Sequence, residues 1–148
     1  MNTHPYLRAF LAGVFVPTLI LPVLLCVFIV VRLVLQEPFP IERGLIFPMA
    51  VVPALWGVWN MLHLGSNVRT HLSLGVHGAL LPLLLMPAGA VLATSLGILE
   101  LGGSGVNWFN ACFVPYALIV PVFLAAVAGY YLAWKYIVGF VNRTLGIA

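Results

Sequence analysis

Two histidines flank a predicted tight turn, and their imidazoles are the groups in this sequence whose chemistry is easiest to name. His63 and His77 are 14 positions apart on either side of Arg69, so helical geometry places both at the same end of two neighbouring helices. Two neutral imidazoles can ligate haem iron or help to hold a metal ion, and His71 could add a third ligand. The spacing matches no metal-binding motif, so a structural role at a membrane interface is the alternative.

A row of aromatic and polar side chains leads up to the first of these histidines. Trp56, Trp59, Asn60 and His63 are spaced i, i+3, i+4 and i+7, so they share one face of a helix. Aromatic walls with a few polar groups suit a lipid headgroup, a quinone or an organic cation. The predicted binding residues are Trp56, Trp59, Asn60, His63, His77, Tyr130 and Trp134. Plain helix packing, with Asn60 bonded to a neighbouring helix, is the alternative.

Long apolar segments must position these residues. The chain has 148 residues, 64% hydrophobic and 6% charged, whereas about a quarter of the residues in a soluble domain are charged. A helix that crosses a bilayer needs roughly 20 mainly apolar residues. Four such segments, at about 7–35, 45–64, 74–99 and 111–138, use most of the chain. We therefore expect an all-α, polytopic four-helix bundle that forms a single transmembrane domain over residues 1–148.

The charged residues predict how this bundle is oriented. The basic residues on the side of the two termini are Arg8, Arg69, Lys135 and Arg143. The other side carries Arg32 and Arg43 together with all three acids, Glu37, Glu42 and Glu100. The excess of cations puts both termini in the cytoplasm, because positive residues are retained there. We expect a multi-pass protein of a bacterial inner membrane, and nothing in this small positive charge indicates nucleic-acid binding.

A degenerate pattern with two prolines occurs in every segment. A small residue precedes the first proline by four positions in Gly13-Pro17-Pro22, Gly44-Pro48-Pro53, Gly78-Pro82-Pro87 and Ala111-Pro115-Pro121. Proline removes a helical hydrogen bond and crowds the carbonyl four residues earlier, where a small residue eases the bend. The pattern predicts proline-kinked helices and an internal repeat of two helical pairs. Chance placement of prolines, which are common in membrane helices, is the alternative.

Small residues recur at helical spacing in the last two segments. The two ladders are Gly89, Ala93 and Gly97 in the third segment and Ala125, Gly129 and Ala133 in the fourth. Small residues let helix backbones approach closely in a membrane. By matching their depth with small residues elsewhere, we predict that helix 1 packs on helix 4 and helix 2 on helix 3. The ladders also favour a homo-oligomer or a membrane-complex partner.

The residue inventory favours a non-catalytic protein. The chain contains no aspartate, which excludes a Ser-His-Asp triad and an aspartyl protease, and its glutamates lie on the side opposite the histidines. The leading hypothesis is a small integral membrane protein that binds or conducts an amphiphile, or that is a subunit of a larger membrane complex. The alternative is a haem-binding or quinone-interacting redox subunit that uses His63 and His77. A small membrane enzyme of lipid metabolism is a second alternative.

Overall fold

The protein is mostly helical, and its helices fall into four long stretches. The structure, a computed structural model, describes residues 4–37, 40 and 42–147, apart from the side chains of residues 44, 45 and 67–70. The helices are α1 (Pro5–Ile29), α2 (Phe47–Thr70), α3 (Leu74–Ser95), α4 (Tyr116–Leu132) and α5 (Gly139–Thr144). Wider π-helical segments, Val30–Val34, Glu42–Ile46 and Ala133–Val138, extend α1, lead into α2 and join α4 to α5.

The prediction of four potential membrane helices is confirmed. The stretches that are long and apolar enough to cross a bilayer are Pro5–Val34, Phe47–Ser66, Leu74–Ser95 and Tyr116–Thr144. Several bounds differ from the expected ones. α2 continues beyond residue 64 to Thr70, α3 ends at Ser95 rather than 99, and the fourth stretch runs from Tyr116 to Thr144 rather than from 111 to 138.

Local sequence explains where these helices begin and end. Pro5 occupies the first turn of α1, where its missing N–H costs nothing. Ser73 caps α3 by accepting a bond from the Val76 amide. Gly97 ends α3 with φ +66°, and two bonds, Gly97 N–H to Thr94 O (3.1 Å) and Ile98 N–H to Ala93 O (2.9 Å), complete a Schellman motif.

The connection between α3 and α4 is a small antiparallel sheet, which the all-α prediction did not include. Its strands are β1 (Leu99–Leu101), β2 (Gly105–Trp108) and β3 (Cys112–Pro115), in the order β1-β2-β3. Leu99 pairs with Trp108 and Trp108 with Cys112, so the meander turns tightly twice. Of residues 111–115, predicted to open the fourth helix, Ala111 lies in the turn before β3 and Cys112–Pro115 form β3, and Pro115 is the cap residue of α4.

The helices pack as two pairs, and these differ from the predicted ones. The most extensive contacts join α1 to α2 and α3 to the fourth helix, whereas the contacts within the predicted pairs are less extensive. Contacts between the pairs involve α1 with Ala133–Val138 and α5, and α2 with α3. The buried core cluster at this junction contains Val16, Trp56, Leu81, Trp134 and Val138.

A glycine in the first helix of each pair lets the second helix of that pair pack closely against it. Gly13 of α1 lies against the backbone of Trp56 and Gly57, and a Cβ there would overlap the Trp56 carbonyl. Gly78 of α3 lies under the ring of Trp134, which occupies the space that a Cβ would need. Each glycine is the residue four positions before a proline in the repeated pattern. The other two copies differ, because Gly44 belongs to a π-helical segment and Ala111 directly precedes β3.

The small-residue ladders do not form the interfaces predicted for them. A Cβ on Gly89 or Gly129 would meet no atom within 4 Å among the described residues, and both glycines are exposed. Gly97, the third member of its ladder, is used as the C-terminal glycine of α3 instead. Close packing in this chain therefore depends on which glycine faces a large side chain, a direction that spacing alone does not specify.

The start of α1 and the residues after α5 meet at the end of the bundle opposite the sheet. Arg8 donates from Nη1 to the carbonyl of Leu145 at 3.2 Å, which ties the start of α1 to the end of α5. Arg32, near the sheet end of the first helix, donates to the main-chain carbonyl of Glu37 at 3.1 Å. The side chain of Arg69, counted above with the basic residues, lies outside the described residues.

We predict that Gly78→Ala destabilises the bundle whereas Gly89→Ala does not. The new methyl group at position 78 overlaps the buried Trp134 ring, and such overpacking costs about 1–3 kcal/mol. At position 89 the methyl group meets open space, and alanine is the better helix former by up to about 1 kcal/mol. Thermal unfolding of both variants in the same detergent measures the difference. Equal stability of the two variants would contradict the packing of Trp134 on Gly78.

Candidate functional site

All seven side chains predicted to form a site come together at the junction of the two helical pairs. α2 supplies Trp56, Trp59, Asn60 and His63, α3 supplies His77, and the fourth helix supplies Tyr130 and Trp134. We call the six ringed members, Trp56, Trp59, His63, His77, Tyr130 and Trp134, the aromatic cluster. Their role in binding stays a prediction, whereas their adjacency is a feature of the fold.

Trp59 and His77 lock α2 to α3 by two reciprocal hydrogen bonds. The indole Nε1–H of Trp59 donates to the carbonyl of His77 at 2.8 Å. The Nε2–H of His77 donates in return to the carbonyl of Trp59 at 2.9 Å, which fixes the proton on that nitrogen because a carbonyl can only accept. The two rings stack, with centroids 4.8 Å apart and planes inclined by 24°. Each residue thus holds the backbone of the other.

Trp56 contacts two rings of the other helical pair. Its centroid lies 5.0 Å from Tyr130 and 5.3 Å from Trp134, both in tilted arrangements. Trp134 also meets His77 edge-on at 6.0 Å. Trp56 is 4% exposed and Trp134 is fully buried, although each is one of the largest side chains in the protein. Tryptophans from two different pairs therefore form the centre of the cluster.

A buried amide pair lies beside these rings. Asn60 Nδ2 donates to Asn142 Oδ1 at 2.8 Å, and Asn142 Nδ2 donates back to Asn60 Oδ1 at 3.2 Å. Asn60 Nδ2 is also 2.8 Å from the carbonyl of Ala9, so α1 joins the same network. Both asparagines are buried, and each satisfies the other in an apolar setting.

Asn142 is the part of this network that the sequence analysis missed. It lies eight positions after Trp134 and four after Val138, so all three share a face of the fourth helix. That spacing was the available signal, because a polar residue in register with buried apolar ones requires a partner. The bond of Asn60 to a neighbouring helix, weighed as the packing alternative, is present.

Two donors within the cluster have no acceptor. The indole Nε1 atoms of Trp56 and Trp134 are buried and have no hydrogen-bond partner in the part of the chain that the structure describes. The third indole of the cluster, that of Trp59, is satisfied by His77. An unsatisfied buried donor costs about 1–3 kcal/mol, so two of them on touching rings are an exception to ordinary packing.

The histidine pair does not fit a haem. Two axial imidazoles would have to stand on opposite sides of a flat macrocycle and each offer a nitrogen to the iron. Here the rings of His63 and His77 touch, with centroids 4.8 Å apart, and Nε2 of His77 is committed to the Trp59 carbonyl. His71 is exposed in the turn, and the described residues contain no group of three or more His, Cys, Asp or Glu side chains that could hold a metal ion.

Two open surface grooves lie away from the cluster. One, of about 420 Å³, is lined by Tyr6, Met61, Leu62, Gly65 and Ser66 where α1 and α2 approach the end that carries the termini. The other, of about 290 Å³, is lined by Val23, Cys26, Val27, Val30 and Val31, all of the first helix. The first has a volume that a small ligand requires, which makes it a competing location for the predicted amphiphile.

No protein-family model, no curated protein and no solved structure matches this chain. Its function therefore has to be inferred from the geometry of its own residues.

We predict that Asn60 and Asn142 are energetically coupled. Asn60→Ala or Asn142→Ala alone leaves a buried amide unpaired and destabilises the protein by about 1–3 kcal/mol. Removing both leaves neither unpaired, so the double variant loses less than the sum, with a coupling of about 0.5–2 kcal/mol. Unfolding of the four proteins in detergent measures this cycle.

A second cycle provides the control. Thr144 is exposed and donates only to the carbonyl of Phe140 on its own helix, so Asn60→Ala and Thr144→Ala are expected to be additive. Additive losses for Asn60 with Asn142 would mean that the amide pair does not contribute to joining the helical pairs.

Proposed function

We propose that this chain is a non-catalytic integral membrane protein that binds a small amphiphile between its two helical pairs, next to the aromatic cluster. In this proposal all four long helices cross the bilayer, both termini are cytoplasmic, and the sheet β1-β3 lies on the opposite side. The amphiphile has a polar group at the cluster and an apolar body along the helices toward the sheet.

Surface chemistry supports a bilayer as the surrounding solvent. Large apolar side chains are exposed along the full length of the long helices, including Leu19, Val23, Val91, Leu92, Val120 and Leu124 at 56–72%. Water would not tolerate such a surface, whereas lipid tails match it. The one lysine of the chain, Lys135, lies 5.5 Å and 5.3 Å from the ring centroids of Tyr131 and Tyr136, an arrangement typical of a membrane interface.

The observation that carries the binding proposal is the uneven distribution of buried residues. In the described helices, buried positions are confined to residues 9–17, 56–60, 75–82 and 134–142, all in the middle or toward the termini. The helical residues from there to the sheet contain no buried position. The pairs are thus joined at one end only, which supports access from the membrane interior to the partly buried Tyr130, at the edge of the cluster.

The arrangement of charged groups supports binding rather than catalysis. His63 and His77 contact each other and aromatic rings. The described glutamates, Glu37, Glu42 and Glu100, belong to the opposite end of the bundle, next to the π-helical segments and β1. Among the described residues, neither imidazole therefore has a neighbouring carboxylate to orient it, as the histidine base of a hydrolase has. The cluster supplies aromatic surface and hydrogen-bond donors instead.

A subunit of a larger membrane complex is the second candidate. Its support is the exposed small-residue face of α3 and the fourth helix, where a Cβ on Gly89 or Gly129 would meet nothing within 4 Å among the described residues. Such faces suit close contact with a further transmembrane helix. This candidate and amphiphile binding are compatible, and the same mass measurement separates them.

We predict that Cys112 is labelled from outside intact cells. Cys112 of β3 and Cys26 of α1 are both free and exposed, but only Cys112 belongs to the sheet, whereas Cys26 lies among apolar residues within a long helix. A polar, membrane-impermeant maleimide should therefore react with Cys112 and spare Cys26. Mass spectrometry after labelling of spheroplasts measures the site. Loss of label in Cys112→Ala is the control, and labelling only after lysis would reverse the proposed topology.

We predict that native mass spectra from a mild detergent contain the chain with a retained amphiphile. Leu85 packs against the core cluster, so Leu85→Trp should fill the proposed space and reduce the bound fraction at least severalfold. Leu83, two residues earlier and 44% exposed, provides the matched control Leu83→Trp. Retention of the amphiphile in Leu85→Trp would place it elsewhere, for example in the groove beside Tyr6. A spectrum without a retained amphiphile, whether the chain is alone or with another polypeptide, would contradict the binding proposal.

A further inference from the structure

The two unsatisfied indole donors define the kind of group that the cluster can bind. Trp56 and Trp134 are both at least nine-tenths buried, and their Nε1 atoms have no partner among the described residues. A hydrocarbon tail cannot accept these bonds, and in lipid each unsatisfied polar group costs several kcal/mol. A hydrogen bond to an acceptor atom at this position would therefore stabilise the complex more than the same bond at a water-exposed surface.

The protein itself has few acceptors to offer there. Asn60 and Asn142 use their amide oxygens on each other, and the carbonyls of Trp59 and His77 accept the bonds that lock α2 to α3. Gly78, beneath the Trp134 ring, has no side chain. Phenylalanine in place of either tryptophan would provide an aromatic ring without burying a donor.

The sign of the field at the cluster selects among the amphiphiles considered above. An N–H edge is positive, so two indole donors repel the polar end of an organic cation and attract an oxygen lone pair. The described carboxylates lie at the sheet end of the bundle and cannot compensate a cation here. The rings already pack on one another at centroid distances of 4.8–6.0 Å, which reduces the free aromatic face that could attract a cation.

We propose that Trp56 and Trp134 together bind the carbonyl oxygen of an uncharged amphiphilic group, as found in a quinone head or in the ester of a membrane lipid. This inference rests on the proposed function and narrows its ligand class. A carbonyl oxygen has two lone pairs, so it can accept from both indoles at once. Both indoles are closed off in this structure, so the acceptor reaches them when the partly buried Tyr130, Val52 and Leu85 around the cluster move aside, and the apolar body extends past these residues.

The indole N–H groups provide a direct test. The chain has four tryptophans, so a ¹H–¹⁵N spectrum of the labelled protein in a maltoside detergent contains four indole peaks, assigned by single Trp→Phe variants. Addition of a decyl-substituted benzoquinone, or of dioctanoyl phosphatidylglycerol in a separate titration, should shift the Trp56 and Trp134 peaks downfield and saturably. The Trp59 and Trp108 peaks, from an indole bonded to His77 and from the sheet, are internal controls.

Matched probes without a carbonyl separate hydrogen bonding from burial. Decylbenzene replaces the quinone, and the dioctyl ether of phosphatidylglycerol replaces the ester lipid. A response to the quinone alone identifies a quinone head, and a response to the diester alone identifies a lipid ester. Equal shifts with the carbonyl-free probes would overturn the proposal, because the acceptor would then be irrelevant.

Trp→Phe variants test whether the indole donors contribute to binding. Trp56→Phe combined with Trp134→Phe should weaken binding of the responding probe about tenfold, since two net hydrogen bonds are lost. Trp108→Phe should leave binding unchanged. The single variant Trp56→Phe, which leaves Trp134 on Gly78, is the fallback if the double variant does not fold, as judged by the Trp59 peak.

Three outcomes would overturn the inference in different ways. Unchanged binding in Trp56→Phe, with a retained amphiphile in the native mass spectrum, leaves the proposed function standing and removes the two indoles from it. If the Trp56 and Trp134 indole peaks show hydrogen bonds to water before any probe is added, water is the acceptor and the ligand carbonyl is not needed. Absence of any bound amphiphile and of any probe response would remove both proposals.

Discussion

Mutual satisfaction of buried polar groups is the constraint on which the rest of this structure depends. In a bilayer the hydrophobic effect does not press helices together, so association depends on close packing and on hydrogen bonds that lipid cannot replace. Asn60 bonds Asn142 and the Ala9 carbonyl, and Trp59 and His77 bond each other's backbone. These contacts join all four long helices at one end, and the apolar remainder of each helix is left without a comparable link to the other pair.

Small residues determine which rings can reach that junction. Gly13 lets α1 approach the backbone of Trp56, and Gly78 lets the ring of Trp134 lie directly on α3. The two tryptophans so positioned then meet at 5.3 Å. In both pairs the first helix carries a glycine four residues before a proline, while the second presents a tryptophan. The proline pattern is thus associated with close packing here, and whether it reflects kinks or a duplication stays a prediction.

The sequence predicted most of the cluster but little of how the helices pair. His63, His77 and the α2 face could be placed together because helical rise across a tight turn is geometry that lipid does not alter. The helix pairing was not predicted because α3 and α4 are apolar around almost their whole circumference, so hydrophobic periodicity does not show which face is inward. The spacing of the Gly89 and Gly129 ladders also does not show which neighbouring helix they face. The all-α prediction left out the sheet, because the run Gly102-Gly103-Ser104-Gly105 is typical of a loop, although short alternations of apolar and polar residues flank it.

Some hydrogen-bond donors of the aromatic cluster have a partner among the described residues, and two do not. A junction that served packing alone would place phenylalanine where the indoles of Trp56 and Trp134 lie, since both rings contribute buried area without using their N–H groups. The satisfied residues, Trp59, His77, Asn60 and Asn142, hold the pairs at the end near the termini. Of the unsatisfied ones, Trp56 lies next to Tyr130, toward the half of the bundle where none of the described helical residues is buried. The locked contacts therefore hold in place the helices that carry the two donors, which lowers the ordering cost of binding an acceptor there.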